Sequence, residues 1–385
     1  MNPDTGAESG LFIGLISGTS MDAVDAALVE LSPERVRLLA THSHPLPAAL
    51  HTDLMTLCHP GDRGDKDAID LLGATDHALG ELFAAAATEL LGQSGVTAAA
   101  VTAIGSHGQT VRHRPPNGGT LHPFSLQIAD PNIIAARTGI TTVADFRRRD
   151  LALGGQGAPL VPPFHLAAFG DPLAHRALIN IGGIANLTLL AGGALISGFD
   201  IGPGNCLLDG WIRRHLGRPY DDRGSWAAAH DVDAGLLARL LTHPFFALPP
   251  PKSTGREDFH LDWLDRQLAG APTPAPGRVQ ATLLALTAST ITTAVRAQAP
   301  EADEVYLCGG GAHNDALLAY LQRELAPLPV ATTAALGLDP DWVEAAAFAW
   351  LARQTLLHRP GNLPAVTGAA HPTVLGAIYP GRSGG

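Results

Sequence analysis

Apolar positions fall into two rhythms along this chain. Leu11–Ile16 is a short apolar run, Ser17–Ala23 is a turn, and Asp25–Leu31 alternates back into apolar residues; this predicts a β-hairpin with a Gly/Ser/Thr tip. Ala68–Leu91 carries Ala and Leu at helical spacing and predicts a helix. Ala98–Ile104 reads as a strand feeding the loop Gly105–Thr110, Asn132–Thr138 as a helix, and Ile140–Ala144 as a buried strand before Asp145-Phe146-Arg147. A second series begins at Arg176. Ala177–Ile181 is a strand, Gly182-Gly183 a turn, Asn186–Leu190 a returning strand and Leu195–Phe199 a third, followed by a helix from Cys206 to His215. Val279–Ala297 predicts a long helix, Glu304–Leu307 a strand, Asp315–Leu325 a helix and Trp342–Gln354 an Ala-rich helix.

Alternation of strands and helices predicts an α/β protein. Glycine-turned hairpins early in both halves predict two related α/β domains rather than one barrel. The length of 385 residues agrees with two cores. The expected division is 1–145, completed by 365–385, and 146–364.

Composition narrows the function classes. Hydrophobic residues make up 46% and charged residues 16%, which excludes a disordered chain. The net charge is -11 and the longest basic run is Arg147-Arg148-Arg149, so no nucleic-acid partner is expected. Cys58, Cys206 and Cys308 are far apart and form no Cys-x-x-Cys, which argues against a disulfide framework. The 17 histidines contain no His-Glu-x-x-His, so no zinc site is expected. Neither a signal segment nor an apolar run long enough to span a bilayer is found, and a cytoplasmic protein without a membrane partner is expected.

Three glycine-rich turns follow strands: Gly18-Thr19-Ser20, Gly202-Pro203-Gly204-Asn205 and Gly309-Gly310-Gly311. Glycine lets backbone N–H groups approach a phosphate closely, and hydroxyls add donors. Any one of them alone reads better as a plain turn. Three of them at strand ends, in both halves, predict a nucleotide held in a cleft between domains. The chain has no Gly-x-x-x-x-Gly-Lys-Ser/Thr, and no Gly-x-Gly-x-x-Gly follows the first strand.

A more specific resemblance runs through residues 11–380. It rests on Gly14–Asp25, Ser106-His107-Gly108-Gln109-Thr110, Ala144–Asp150, Gly154–Pro162, Asn180–Asn186, Phe199–Asn205, Lys252–Glu257 and Cys308–Asn314, in that order. In these motifs the chain resembles the anhydro-N-acetylmuramic acid kinases. The resemblance implies the two-domain actin-like ATPase (ribonuclease H-like) fold, ATP and Mg²⁺ as cofactors, a 1,6-anhydro-N-acetylmuramic acid substrate in peptidoglycan recycling, and a homodimer. Two departures stand out: Ala23 replaces a glycine usual in the family, and the first strand lacks the Asp that the wider superfamily carries near Leu15.

The resemblance and the strand-end position both select Asp200 as the catalytic base; the bland reading is a cap of the helix that follows. Phosphate and nucleotide contacts are expected from Gly18, Thr19, Ser20, Met21, Asp22, Ala23, Val24, Asp25, Gly182, Gly183, Gly202, Gly204, Asn205, Gly309, Gly310, Gly311, Asn314 and Glu344. Sugar contacts are expected from His107, Gln109, Asp145, Arg147 and Arg149, since a lactyl carboxylate favours arginine. Lys252 could reach phosphate or hold a domain edge. Two other functions stay open at this point: a kinase of the same superfamily with another acceptor, and an actin- or Hsp70-like ATPase.

Overall fold

The structure is a computed structural model that describes residues 8–18, 21–58, 67–116, 121–255, 258–269 and 274–382. Its strands, in chain order, are β1 Gly10–Ile16, β2 Ala23–Leu31, β3 Val36–Pro45, β4 Val101–Ser106, β5 Gln109–Arg114, β6 Phe124–Ile128, β7 Thr142–Ala144, β8 His175–Ile181, β9 Ile184–Ala191, β10 Ala194–Pro203, β11 Glu304–Cys308, β12 Val330–Thr332 and β13 Ala377–Tyr379. The chain forms two compact units, Met1–Ala168 with Trp342–Gly385, and Phe169–Asp341.

The first unit holds a six-stranded sheet of order β13-β7-β4-β1-β2-β3 and a small β5-β6 ribbon. β1 and β2 pair antiparallel with Ile16 opposite Asp25, β2 and β3 continue the meander, and β4 lies parallel to β1. The second unit holds a five-stranded sheet of order β10-β9-β8-β11-β12. There β8, β9 and β10 form the meander, and β11 runs parallel to β8. Leaving β13 aside, the two sheets share one order: an antiparallel meander, then two strands parallel to its first. This repeat is the two-domain actin-like arrangement that the resemblance implies.

Two glycines tie a helix to the first sheet. A Cβ at Gly14 would lie 1.7 Å from the Ala345 carbonyl oxygen, and one at Gly105 would lie 1.9 Å from that of Phe348. The helix Val343–Leu356 therefore packs its backbone directly on β1 and β4. This contact places the helix in the first unit, whereas the sequence reading put residues up to 364 in the second. The other expected boundary, after residue 145, also moves. Asp150 is buried and accepts hydrogen bonds from the Gly157 amide (2.8 Å), Asn362 Nδ2 (2.7 Å) and Thr367 Oγ1 (2.7 Å), so the segment after β7 belongs to the first unit.

Most expected elements form close to their predicted limits. β10 is the informative exception. It runs through Pro203 and does not stop at Phe199. A register shift between Asp200 and Gly202 absorbs one extra residue, and pairing continues to Pro203 opposite Ile184. No helix among the described residues is long and apolar enough to cross a membrane.

Candidate active site

In the first unit, the hairpin base is well defined. Gly18 accepts a hydrogen bond from the Met21 amide at 3.2 Å, and Met21 takes a positive φ of 56°. Thr19 and Ser20, expected to donate hydroxyls to phosphate, lie outside the described residues. Met21 and Val24 bury their side chains in the core, so a phosphate contact expected from them would run through the backbone. Ala23 has no positive φ and sits in β2 opposite Pro45, a conformation any residue adopts. Asp22 is exposed, and its carbonyl accepts from the Leu46 amide at 2.8 Å. Asp25 is half-buried and accepts from Ser43 Oγ at 2.9 Å across the β2–β3 pair. Glu344 lies in the first turn of Val343–Leu356.

His107 follows β4 and is buried. Its amide donates to the Leu15 carbonyl at 2.9 Å, which fixes the loop to β1. Arg147 donates to its Nε2 from Nε (3.0 Å) and Nη2 (2.9 Å), and to the Gly157 carbonyl from Nη1 (2.7 Å). An arginine only donates, so Nε2 is the acceptor and Nδ1–H donates to the Gly108 carbonyl at 3.0 Å. Burial, with the Arg147 cation second, holds His107 well below the ordinary histidine value, while the Gly108 carbonyl opposes the shift. His107 is thus a neutral imidazole that positions Arg147. Asp145, with φ 61°, accepts from Arg148 Nε at 2.7 Å, so its carboxylate is engaged by the one arginine of the run not selected for the sugar. Arg149 is exposed. Gln109 is buried and donates to the Thr110 carbonyl at 3.2 Å; among the described residues its Oε1 has no hydrogen-bond partner, and neither do the Oγ atoms of Ser17 and Ser106.

In the second unit, Asp200 is 6% exposed. Its amide donates to the Lys252 carbonyl at 3.1 Å, and its Oδ2 accepts from the Thr254 amide at 3.0 Å. It lies within β10 and caps no helix; the helix Cys206–Leu216 starts six residues further on. Lys252 is buried, donates to the Phe245 carbonyl at 3.1 Å and stands 4.5 Å from the centroid of the Phe245 ring. Burial lowers its pKa, and the nearby Asp200 charge opposes that shift. Arg256 and Glu257 of the same motif lie outside the described residues.

The three glycine turns of this unit come together. Asn205 N donates to the Gly182 carbonyl (2.8 Å), and Gly204 N (3.0 Å) and Cys206 N (3.1 Å) donate to that of Gly183. A Cβ at Gly204 would lie 2.3 Å from the Gly182 oxygen, so only glycine permits this approach. A Cβ at Gly310 would stand 4.0 Å from Asn205 Nδ2, which brings the third turn to the second. Gly202 has φ +151° and Gly309 φ +77°, and Gly311 packs against Ile181. The amides of Gly204, Asn205 and Gly309 donate to Gly183, Gly182 and Pro340 and so build the turn cluster; a nucleotide contact expected from these residues would run through their other atoms. Asn314 Oδ1 caps Asp315–Leu325 through the Leu317 amide at 3.0 Å, which leaves its Nδ2 to serve the expected contact.

Sequence reading passed over a polar row. Asp200 pairs with Asn186, Asn186 with Asn180, and Asn180 with Cys308 across β10, β9, β8 and β11. The Oδ1 atoms of Asn180 and Asn186 are buried without a hydrogen-bond partner. Among the described residues neither acceptor is paired, and they continue the row that starts at Asp200. Both asparagines lie in the Asn180–Asn186 motif; their position on adjacent strands is the signal that only pairing supplies.

Comparison with known proteins agrees with the sequence motifs. The family model described as anhydro-N-acetylmuramic acid kinase matches residues 10–381. The chain is 51% identical to the anhydro-N-acetylmuramic acid kinase of Saccharophagus degradans over 370 residues, covering 96% of this chain and 98% of that protein. It is 52% identical over 373 residues to the enzyme of that name from Coxiella burnetii strain Dugway 5J108-111, with the same coverage. Among solved structures, it is similar to the activator of the 2-hydroxyisocaproyl-CoA dehydratase from Clostridium difficile with bound ADPNP, at 13% identity and TM-score 0.45, covering 90% of this chain and 96% of that one. The chain belongs to the anhydro-N-acetylmuramic acid kinase family.

Proposed function

We propose that this protein is an ATP-dependent kinase of 1,6-anhydro-N-acetylmuramic acid. It opens the 1,6-anhydro bond with water and phosphorylates O6 in the same reaction, yielding N-acetylmuramic acid 6-phosphate and ADP. This places it in the cytoplasmic reuse of cell-wall sugar, and it acts as a homodimer.

The observation that carries the mechanism is the setting of Asp200. The Thr254 amide holds one carboxylate oxygen, and Asn186 stands opposite on β9. A carboxylate fixed in this way serves as a general base. Asp200 takes a proton from water as the water oxygen bonds to C1. The C1–O6 bond breaks, O6 attacks the γ-phosphorus, and the bond from that phosphorus to the ADP oxygen breaks. Glycoside hydrolysis ordinarily needs a second carboxyl to protonate the leaving oxygen. Here phosphoryl transfer to O6 takes that place, so one base suffices.

The hairpin from Gly18 to Asp25 would hold the γ-phosphate, with Gly182, Gly183, Gly310 and Gly311 serving the nucleotide. Arg147 and Arg149 would face the lactyl carboxylate, with Gln109 serving the sugar. Mg²⁺ takes oxygen donors, one or two carboxylates with phosphates and water, and Asp22 and Asp25 fit that set. It would neutralise phosphate charge.

The test is mass spectrometry of the product made in ¹⁸O-labelled water. Label at C1 together with a 6-phosphate is expected. A phosphate without label would make the protein a plain sugar kinase, and ATP hydrolysis independent of sugar would make it an ATPase of another kind.

A further inference from the structure

A second cluster of ligating side chains lies in the first unit, on β3 and the helix Ala68–Ser94, and the proposed reaction does not use it. His42 and His44 are two residues apart on a strand, so their side chains leave the same face of the sheet. Glu89 comes from the helix. One atom from each of the three residues lies within 4.8 Å of the others. Glu89 Oε2 stands 2.9 Å from His42 Nε2 and 3.3 Å from His44 Nδ1. In a tetrahedral zinc site, bonds of about 2.0–2.2 Å separate neighbouring ligand atoms by about 3.3 Å. Two of the three separations, those from Glu89 to His42 and to His44, therefore already stand near that spacing, and the third lies within 4.8 Å.

Two further features favour a metal over a simple ion pair. His42 Nε2 is buried and makes no hydrogen bond, although the Glu89 oxygen is close: the contact is short but out of line. A metal between the groups would use that nitrogen's lone pair. The other ring nitrogen, Nδ1, lies 3.2 Å from the amide of Gln93, four residues after Glu89 on the same helix face. That contact is made by the Gln93 nitrogen; a half-turn of the amide presents its oxygen to Nδ1–H instead. An outer partner of this kind fixes the tautomer of a metal-bound histidine and raises its basicity. The side chains of His42 and His44 are 14% and 17% exposed and that of Glu89 is 51% exposed, which leaves an entry path and a fourth position for water.

We propose that His42, His44 and Glu89 form a binding site for one divalent transition metal of the zinc class, with Gln93 supporting His42. Imidazole and carboxylate together suit Zn²⁺ and its spectroscopic substitute Co²⁺. The metal would clip the edge strand β3 to the helix Ala68–Ser94.

The test titrates tag-free, full-length protein with Co²⁺, followed by visible absorption, and then displaces it with Zn²⁺. One equivalent of Co²⁺ with tetrahedral-type bands, displaced by Zn²⁺, is expected, together with a rise in Tm on adding Zn²⁺. Glu89→Gln keeps the side-chain shape and should weaken binding by at least about ten-fold, with unchanged sugar phosphorylation and unchanged Tm in chelator. Gln93→Ala should weaken it by about 10–100-fold. Absence of binding by the unaltered protein overturns the proposal, as does Co²⁺ affinity in Glu89→Gln and Gln93→Ala equal to that of the parent.

Discussion

Arg147 donates two hydrogen bonds, from Nε at 3.0 Å and Nη2 at 2.9 Å, to the single nitrogen Nε2 of His107. A lysine presents a point charge and cannot reproduce this fork while also reaching the Gly157 carbonyl. Arg147→Lys is expected to lower stability by about 1–3 kcal/mol, the penalty for leaving buried acceptors unpaired. Chemical denaturation measures the loss. Steady-state kinetics should show a raised KM for the sugar and a KM for ATP within two-fold of the parent, estimated as about the limit of a remote effect.

Stability should fall on mild acidification. Burial holds His107 well below the ordinary value and takes His113 and His165 to about 3. Arg147 adds to the shift at both His107 and His113. In the unfolded chain these imidazoles titrate near about 6.5. Below that pH the unfolded chain binds protons that the folded chain refuses, so stability is complete above about pH 6.5 and is lost as pH falls toward the folded values. Each histidine contributes up to about 1.4 kcal/mol per pH unit. Urea midpoints between about pH 7 and about pH 5 check the slope, and NMR should show three imidazoles that do not titrate in that window.

Asp200→Asn keeps the shape of the side chain and removes the base. Turnover is expected to drop by about 10²–10⁴-fold. Nucleotide affinity, read by calorimetry, should survive, since the carboxylate acts on water and not on ATP. Near-normal turnover in this variant would remove Asp200 from the mechanism.

Gly105→Ala places a methyl group 1.9 Å from the Phe348 carbonyl oxygen. The obstacle is helix backbone, which cannot rotate away as a side chain would. Overpacking of this kind costs about 1–3 kcal/mol or more. Thermal melting should show the loss. Lower activity should accompany it, because the displaced helix Val343–Leu356 carries Glu344.

Ala23→Gly should change little, although glycine is usual in the family at this position. Ala23 occupies ordinary strand backbone, and among the described residues of this hairpin Met21 is the left-handed one. The extra backbone freedom of glycine costs about 0.5–1 kcal/mol in a strand. A kcat/KM unchanged within about two-fold, with a slightly lower denaturation midpoint, is the expected result.

The hairpins, the long helices and the glycine turns were legible in the sequence because each depends on residues close together in the chain. Apolar spacing sets the element, and glycine sets the turn. Motif order then carried the family, and with it Asp200. Tertiary structure alone decided which of these residues remain available to a ligand. That the amides of Gly204 and Asn205 bond to Gly183 and Gly182 is seen only in the fold. Met21 and Val24 read as loop residues until they are found in the core. The Asn180–Asn186–Asp200 row exists only through pairing, and Asp150 finds Asn362 and Thr367 more than two hundred residues away. The physical reason is common to all of them. Local conformation follows from neighbours in the chain, whereas burial and hydrogen-bond partners are supplied by segments that meet only on folding.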